Sequence, residues 1–155
     1  MIKTSRHVLS ISFFLFIASA TNGQEIQQTP KDSLIAIVNQ YYKLNVKVFQ
    51  ANSTVNDIDE IFNLYTNDFT YIHPKYGGTY SREDLYNGYI RNQKNGGYDG
   101  SVTDIKIINM ITGLNAVAVE KRFIKRTAGG VEEGDSEMTL FEFTDGKISK
   151  IFEYW

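Results

Sequence analysis

Apolar residues recur every three or four positions between residues 34 and 48, and again between residues 58 and 65. This is the spacing of an amphipathic helix. A third helix is predicted to begin after Ser81, because Asp84 completes a capping-box pattern three residues later, and to end near Gly96. The first part of the chain is therefore predicted to be mainly helical.

Strand periodicity begins with the segment FTYIH. It places Phe69, Tyr71 and His73 on one side, and Pro74 ends it. Four longer segments of strand composition follow, separated by glycine-containing or asparagine-containing turns: SVTDIKIINMIT, AVAVEKRFIKRT, EMTLFEFT and KISKIFEYW. Helices first and an antiparallel meander last predict an α+β fold. The inner side of such a sheet, closed by the first helix, is where a pocket is expected.

The beginning of the chain has the composition of a secretory signal peptide. A basic start is followed by the apolar run VLSISFFLFIASA, in which Ala18 and Ala20 are the small residues that precede a signal-peptidase cleavage site. We therefore expect residues 1–20 to be a signal peptide, residues 21–29 a polar spacer, and residues 30–155 a single domain. The mature protein is expected to be exported, to the periplasm or the medium, and to have no membrane partner after cleavage.

Charge and composition argue against several kinds of function. Without the predicted leader the chain has 14 basic and 18 acidic residues, a net charge of −4, which argues against nucleic acid as a partner. The chain has no cysteine, and His73 is the only histidine outside the leader. We therefore expect no metal site and no cofactor. The 10 tyrosines and 10 phenylalanines can fill a core or line a pocket.

The segment DIDEIFNLYTNDFTYIHP, the GG and SREDL that follow, and the final GKISKIFEYW resemble the NTF2-like superfamily. Its members include SnoaL-like polyketide cyclases, scytalone dehydratase and ketosteroid isomerase. The resemblance extends from the first helix to Trp155. It implies a cone-shaped domain in which three helices pack into a strongly curved antiparallel sheet around an internal pocket, often as a homodimer through the sheet.

The resemblance also implies candidate catalytic residues. His73 falls at the strand-end position of the proton-transferring aspartate of ketosteroid isomerase, and Tyr41 falls at the position of the oxyanion tyrosine. The second oxyanion residue, an aspartic acid there, is Thr139 here, a weaker donor that argues against steroid isomerisation. Imidazole can accept and return a proton at neutral pH. In the register of the family, Glu153 is expected to orient that ring, and the Trp155 indole to hold a nearby acceptor.

The remaining candidates are expected to contact a ligand from the inner face of the sheet and from the helices. They are Tyr65, Tyr71, Tyr89, Val117, Val119, Phe123, Thr139, Phe141, Ile151 and Trp155. Aromatic residues at this spacing equally fit a core, and His73 equally fits a capping group that bonds a neighbouring carbonyl. Glu137 is either a second acid or a solvated rim charge. The four bases of VEKRFIKR form either a solvated outer face or a small anion-binding patch.

Three functions are compatible with these observations. The first is an exported protein that binds a small hydrophobic or aromatic ligand without changing it. The second is a cofactor-independent lyase, isomerase or cyclase that uses His73 as a general acid and base. The third is a protein-interaction domain whose sheet face, with Phe152 and Tyr154, also forms the expected homodimer contact. The sequence offers one clear base and no second strong acid, which favours binding.

Overall fold

The computed structural model describes residues 29–155. The predicted signal peptide, residues 1–20, and residues 21–28 of the predicted spacer lie outside the described residues. Within the described range, three α-helices and a seven-stranded, mostly antiparallel sheet form the domain. This confirms the predicted α+β class.

Within residues 29–155, most of the helices come before most of the strands along the chain. The helices are α1 (Lys31–Val48), α2 (Val55–Phe62) and α3 (Arg82–Lys94). The strands are β1 (Tyr65–His73), β2 (Gly78–Ser81), β3 (Val102–Thr112), β4 (Ala116–Thr127), β5 (Gly130–Glu133), β6 (Glu137–Thr144) and β7 (Lys147–Glu153). The sequence pattern does not predict β2 and β5, because each has four residues and neither has a buried side.

Helix α3 begins at the predicted capping box. The Ser81 hydroxyl accepts a hydrogen bond from the Asp84 backbone N–H at 3.1 Å, and the Ser81 N–H donates to the Asp84 carboxylate at 3.0 Å. These bonds satisfy backbone groups that the first turn of a helix leaves unpaired. They fix the point at which the chain leaves β2 and enters α3, which forms one wall of the cavity described below.

The strands are ordered β2-β1-β7-β6-β4-β3, and β5 pairs with β4. All neighbours are antiparallel except β1 and β7, which run parallel with Tyr71 opposite Ile151. Register shifts interrupt the β1–β7, β3–β4 and β6–β7 pairs, and such irregularities bend and twist a sheet. Because β1 and β7 run in the same direction, His73 and Trp155 reach the same edge of the domain.

Helix α1 lies against the inner face of the sheet, and the two surfaces enclose the core. Leu34, Val38 and Val117 are 0 % exposed. The centre is aromatic: the Tyr41 ring lies 5.2 Å from the Phe141 ring, and Tyr65 stacks on Phe69 at 3.9 Å, measured between centroids. Packed rings thus occupy much of the space in which the sequence places a pocket.

Candidate functional site

A cavity of about 460 Å³ opens between α3 and the ends of β1, β2 and β7. Six of its thirteen lining residues are tyrosine or tryptophan: Tyr71, Tyr76, Tyr80, Tyr89, Tyr98 and Trp155. The imidazole of His73 also lines it, and α3 with the following loop adds Asp84, Arg91, Asn92 and Asn95. Rings with polar tips therefore surround a space large enough for a small organic molecule.

The tyrosines stand on two opposite sides of this cavity. On the sheet side, the centroids of the Tyr71 and Tyr80 rings are 6.3 Å apart. On the helix side, those of Tyr89 and Tyr98 are 6.2 Å apart. The Tyr89 hydroxyl donates to Asn45 Oδ1 at 2.8 Å, and this amide in turn donates to the α1 backbone. The Tyr89 ring is therefore held in place by α1 before any ligand arrives.

His73 ends β1 and is 3 % exposed. Its ring centroid lies 4.6 Å from that of Trp155 and 4.4 Å from that of Tyr76. Neither ring nitrogen has a hydrogen-bond partner among residues 29–155. Burial lowers the pKa of the imidazole below its ordinary value of 6.5, against the opposing effect of Glu153, so the ring is neutral at neutral pH. It then has one donor and one acceptor nitrogen, both without a partner.

Glu153 holds the indole that packs against His73. The Trp155 Nε1–H donates to Glu153 Oε2 at 2.6 Å, and the Thr139 hydroxyl donates to the same oxygen at 2.7 Å. Glu153 is 4 % exposed. Hydrogen bonds to a buried carboxylate are stronger than those between neutral groups. The orientation of Trp155 is therefore fixed by a charge behind the cavity wall.

A buried lysine completes this cluster. Lys121 is 2 % exposed, and its Nζ lies 2.8 Å from Glu137 Oε2 and 3.4 Å from Glu153 Oε2. The same ammonium group lies 5.1 Å from the centroid of the Trp155 ring. Two carboxylates and one ammonium leave this group of three side chains with one excess negative charge. It lies directly beneath the tryptophan wall of the cavity.

The structure brings four of the predicted site residues together at the cavity, namely Tyr71, His73, Tyr89 and Trp155. They come from β1, α3 and the segment after β7. Glu153 lies behind Trp155 and reaches the cavity only through the indole. The predicted acceptor for the Trp155 N–H is thus Glu153 itself.

The other predicted ligand contacts lie elsewhere, and the expected lining is corrected accordingly. Six are closed into the core with at most 2 % exposure: Tyr65, Val117, Val119, Thr139, Phe141 and Ile151. Phe123 is half-buried, with its ring 6.3 Å from Phe49 and 6.4 Å from Trp155 between centroids. The pattern correctly assigns these residues to the inner side of the sheet, but other side chains cover them there.

The predicted group of His73, Tyr41 and Glu153 does not form a connected unit. Tyr41 is 6 % exposed and packs edge-on against Tyr42 at 5.2 Å between centroids. Burial raises the pKa of its phenol well above the ordinary value. Glu153 accepts hydrogen bonds from Thr139, Lys121 and Trp155, and in the described part of the chain it has none to His73. Neither Tyr41 nor Thr139 is therefore placed to polarise a carbonyl group in the cavity.

Sequence reasoning missed several residues of the site. Tyr76, Tyr80 and Tyr98 lie in short connecting segments or in β2, where no periodicity indicates a face. Lys121 is one of the four bases of VEKRFIKR, which the sequence assigns to a solvated outer face or to a small anion-binding patch, yet it is buried and points inward. The signal that identifies it is parity, because Lys121 follows Val119 by two positions along β4. Glu137 pairs with this lysine, so it is a partner in a buried cluster rather than an isolated rim charge.

Residues 29–155 contain no group of three or more His, Cys, Asp or Glu side chains positioned to hold a metal ion. No helix in the same range combines the length and the apolar character that crossing a bilayer requires.

Solved structures with the same architecture are similar over most of the chain. An LEH-like epoxide hydrolase from M. tuberculosis matches with a TM-score of 0.57 at 17% identity, covering 80% of this chain and 83% of that protein. An NTF2-like protein from Anabaena variabilis ATCC 29413 matches with a TM-score of 0.56 at 16% identity, covering 83% of this chain and 93% of its own.

A third similar structure is a hypothetical protein with a ketosteroid isomerase-like fold from Catenulispora acidiphila DSM 44928, in complex with trimethylamine. Its TM-score is 0.53 at 16% identity, covering 77% of this chain and 84% of its own. No family model matches the sequence, and no curated protein matches it significantly. These likenesses show that the chain has the NTF2-like fold, as the sequence resemblance predicted.

Proposed function

We propose that this protein binds a small organic molecule in the cavity between α3 and the ends of β1 and β7. The observation that supports this most directly is the buried imidazole of His73, which lines the cavity while both of its nitrogens lack a partner among residues 29–155. Leaving a buried polar group unpaired costs about 1–3 kcal/mol. A ligand that bonds to His73 recovers part of that free energy.

Intrinsic fluorescence offers a direct test, because Trp155 is the only tryptophan of the chain. A set of phenols, indoles and short alkylamines is titrated while the emission of Trp155 and the NMR signal of the His73 Cε1–H are followed. We expect a binder to shift both signals, and His73→Asn to weaken its affinity about tenfold, the value of one hydrogen bond. The urea midpoint of the variant verifies its fold. If no compound shifts both signals, the proposal fails.

Proton transfer by His73 is the second candidate function. A neutral imidazole with an unpaired nitrogen is the form that a general base requires. Tyr71 replaces Tyr41 as the candidate oxyanion donor, because it lines the cavity and its ring centroid lies 6.2 Å from that of His73. Burial raises the pKa of Tyr71 far above its ordinary value, so its hydroxyl keeps its proton at neutral pH.

The test of this candidate is deuterium exchange from solvent into cyclohex-3-enone, whose C–H groups beside the carbonyl are acidic. Catalysed exchange should disappear in His73→Gln and decrease about a hundredfold in Tyr71→Phe. Tyr154→Phe, on the outer side of the molecule, is the matched control and should leave the rate unchanged. Exchange that persists in His73→Gln would exclude this residue as the base.

Homodimer formation through the outer face of the sheet is also proposed. Strand register aligns an uncharged row across five strands: Ile111, Ala118, Leu140, Phe152 and Ile72. Ile111 is 67 % exposed in the single chain. A second copy of the same row is self-complementary, as a two-fold interface requires. Light scattering should show a dimer that Leu140→Glu dissociates and that Thr144→Glu, at the exposed end of β6, does not.

Export remains a prediction from the sequence, supported by the basic start, apolar run and small residues of positions 1–20. Expression of the full chain followed by cell fractionation tests it. Ala20→Leu should block processing and retain the longer form, whereas Thr21→Val, one position later, serves as the comparison.

A further inference from the structure

We propose that the cavity selects an organic ammonium ion, one N–H of which donates to His73 while its alkyl groups contact the surrounding tyrosine and tryptophan rings. This inference rests on the proposed function, since it names the chemical class of the ligand for the same cavity. Three independent features support it: the aromatic walls, the excess negative charge beneath Trp155, and the unpaired acceptor of His73.

The aromatic walls are suited to a cation. Tyr71 and Tyr80 stand on the sheet side, Tyr89 and Tyr98 on the helix side, and Trp155 at the end near His73. The negative faces of such rings attract alkylammonium groups within about 6 Å of the ring centroid. An uncharged alkyl group of the same shape gains the same burial of apolar surface but lacks this electrostatic attraction. The walls therefore distinguish the two kinds of ligand by charge.

The buried cluster of Lys121, Glu137 and Glu153 also favours a positively charged ligand, because its net charge is negative. Glu137 and Glu153 together outweigh Lys121 by one charge, and Lys121 and Glu153 are both less than 5 % exposed. Lys75 and Arg91, the cations near the mouth, are exposed, so water and salt screen them. The side chains that are screened least therefore favour a positive ligand.

Glu153 also acts through the tryptophan. Its carboxylate accepts the indole N–H at 2.6 Å, and a donor bonded to an anion becomes more electron-rich through polarisation. This polarisation opposes the effect of the Lys121 ammonium group, which lies 5.1 Å from the centroid of the same ring, and keeps the ring attractive to a cation in the cavity. Glu153 is in this respect a positioning residue, because it acts on the ligand through Trp155.

The acceptor nitrogen of His73 determines which kind of ammonium ion binds most tightly. Its neutral ring has an acceptor nitrogen that no described group satisfies, and its charge state adds no repulsion at neutral pH. A protonated primary, secondary or tertiary amine supplies an N–H to that acceptor, whereas a quaternary ammonium ion has none. Amines that retain an N–H should therefore bind most tightly.

Three probes of nearly equal shape separate these contributions: 2-(dimethylamino)ethanol in its protonated form, choline, and uncharged 3,3-dimethyl-1-butanol. Trp155 emission is titrated with each at neutral pH. We expect 2-(dimethylamino)ethanol to bind about tenfold more tightly than 3,3-dimethyl-1-butanol, with choline between them. Equal affinity for the charged and uncharged probes would overturn the inference, and equal affinity for the two cations would overturn the hydrogen bond to His73.

A charge-neutral variant tests the role of the cluster. Glu153→Gln should weaken the binding of 2-(dimethylamino)ethanol about fivefold and leave the affinity for 3,3-dimethyl-1-butanol unchanged. The unchanged affinity for the uncharged probe would also show that the cavity is intact. Glu142→Gln removes the same charge from the outer face and should have no effect. Tyr80→Leu removes one ring without touching the cluster and should weaken only the cations. Equal weakening of charged and uncharged probes by these variants would show a structural role alone.

The outcomes also distinguish this inference from the proposed function. If phenols or indoles shift the signals of Trp155 and His73 but none of the three probes does, the cavity binds ligands of another class and the inference is wrong. If no compound of any class shifts them, the proposed function fails together with it.

Discussion

Replacing Lys121 by methionine should destabilise the protein far more than replacing any exposed lysine. Lys121 is 2 % exposed and contacts Glu137 at 2.8 Å and Glu153 at 3.4 Å. Methionine preserves the apolar volume of the stem but leaves both carboxylates without their shared cation. Breaking a buried ion pair by removing one partner costs about 3–5 kcal/mol, and we expect Lys121→Met to fall in that range.

Glu153→Gln should lower the free energy of unfolding less than Lys121→Met does, because it leaves Lys121 paired with Glu137. A glutamine oxygen still accepts the hydrogen bonds of Thr139 and Trp155, so we expect a loss of about 1–3 kcal/mol. In the double variant, removal of the lysine no longer leaves Glu153 charged and unpaired. The double loss should therefore be smaller than the two single losses added together.

Urea unfolding followed by Trp155 emission measures all three variants. Lys150→Met is the matched control, because Lys150 pairs with Glu142 at 3.2 Å with more than a third of each side chain exposed. Such a surface pair contributes about 0–1 kcal/mol.

Two results would refute this reasoning. A loss for Lys121→Met no greater than that for Lys150→Met would mean that the lysine is solvated in solution. Strictly additive losses in the double variant would mean that Lys121 and Glu153 do not interact.

Three further predictions concern individual side chains. The NMR titration of His73 should give a pKa below 6.5. The folded state then binds the proton more weakly than the unfolded chain, so the free energy of unfolding should decrease as the pH falls from 6.5 to that lower pKa, and should not do so in His73→Gln. Tyr89→Phe should cost about 1 kcal/mol in urea unfolding, because Asn45 loses its donor. Ser81→Ala should cost about 1 kcal/mol through loss of the α3 cap, whereas Ser33→Ala should cost less; equal losses would contradict the capping role.

The pattern of apolar residues predicts the secondary structure of this chain well where the elements are long. It does not indicate which strands pair, because the parallel contact between β1 and β7 depends on the path of the whole chain. Strands β2 and β5 escape prediction for a local reason: each has only four residues and neither has a fully buried side, so their apolar pattern is too short and too weak to detect.

The sequence predicts which side chains point to the inner side of the sheet, but it does not predict which of them line the cavity. Alternation along β1 correctly places Tyr71 and His73 inward, and parity along β7 does the same for Glu153. Whether an inward residue meets a cavity or a neighbouring side chain depends on packing, which sequence spacing does not describe. Tyr41 and Phe141 thus pack against each other in the core, whereas Tyr71 lines the cavity.

The parallel pairing of β1 with β7 also governs when the cavity forms during folding. Tyr71 and Ile151 are partners although 80 positions separate them along the chain, and contacts across such a distance form slowly because a long loop must close first. His73 and Trp155 meet only after that closure. The cavity is therefore a late product of folding, and a ligand that fills it should slow unfolding while leaving the refolding rate nearly unchanged.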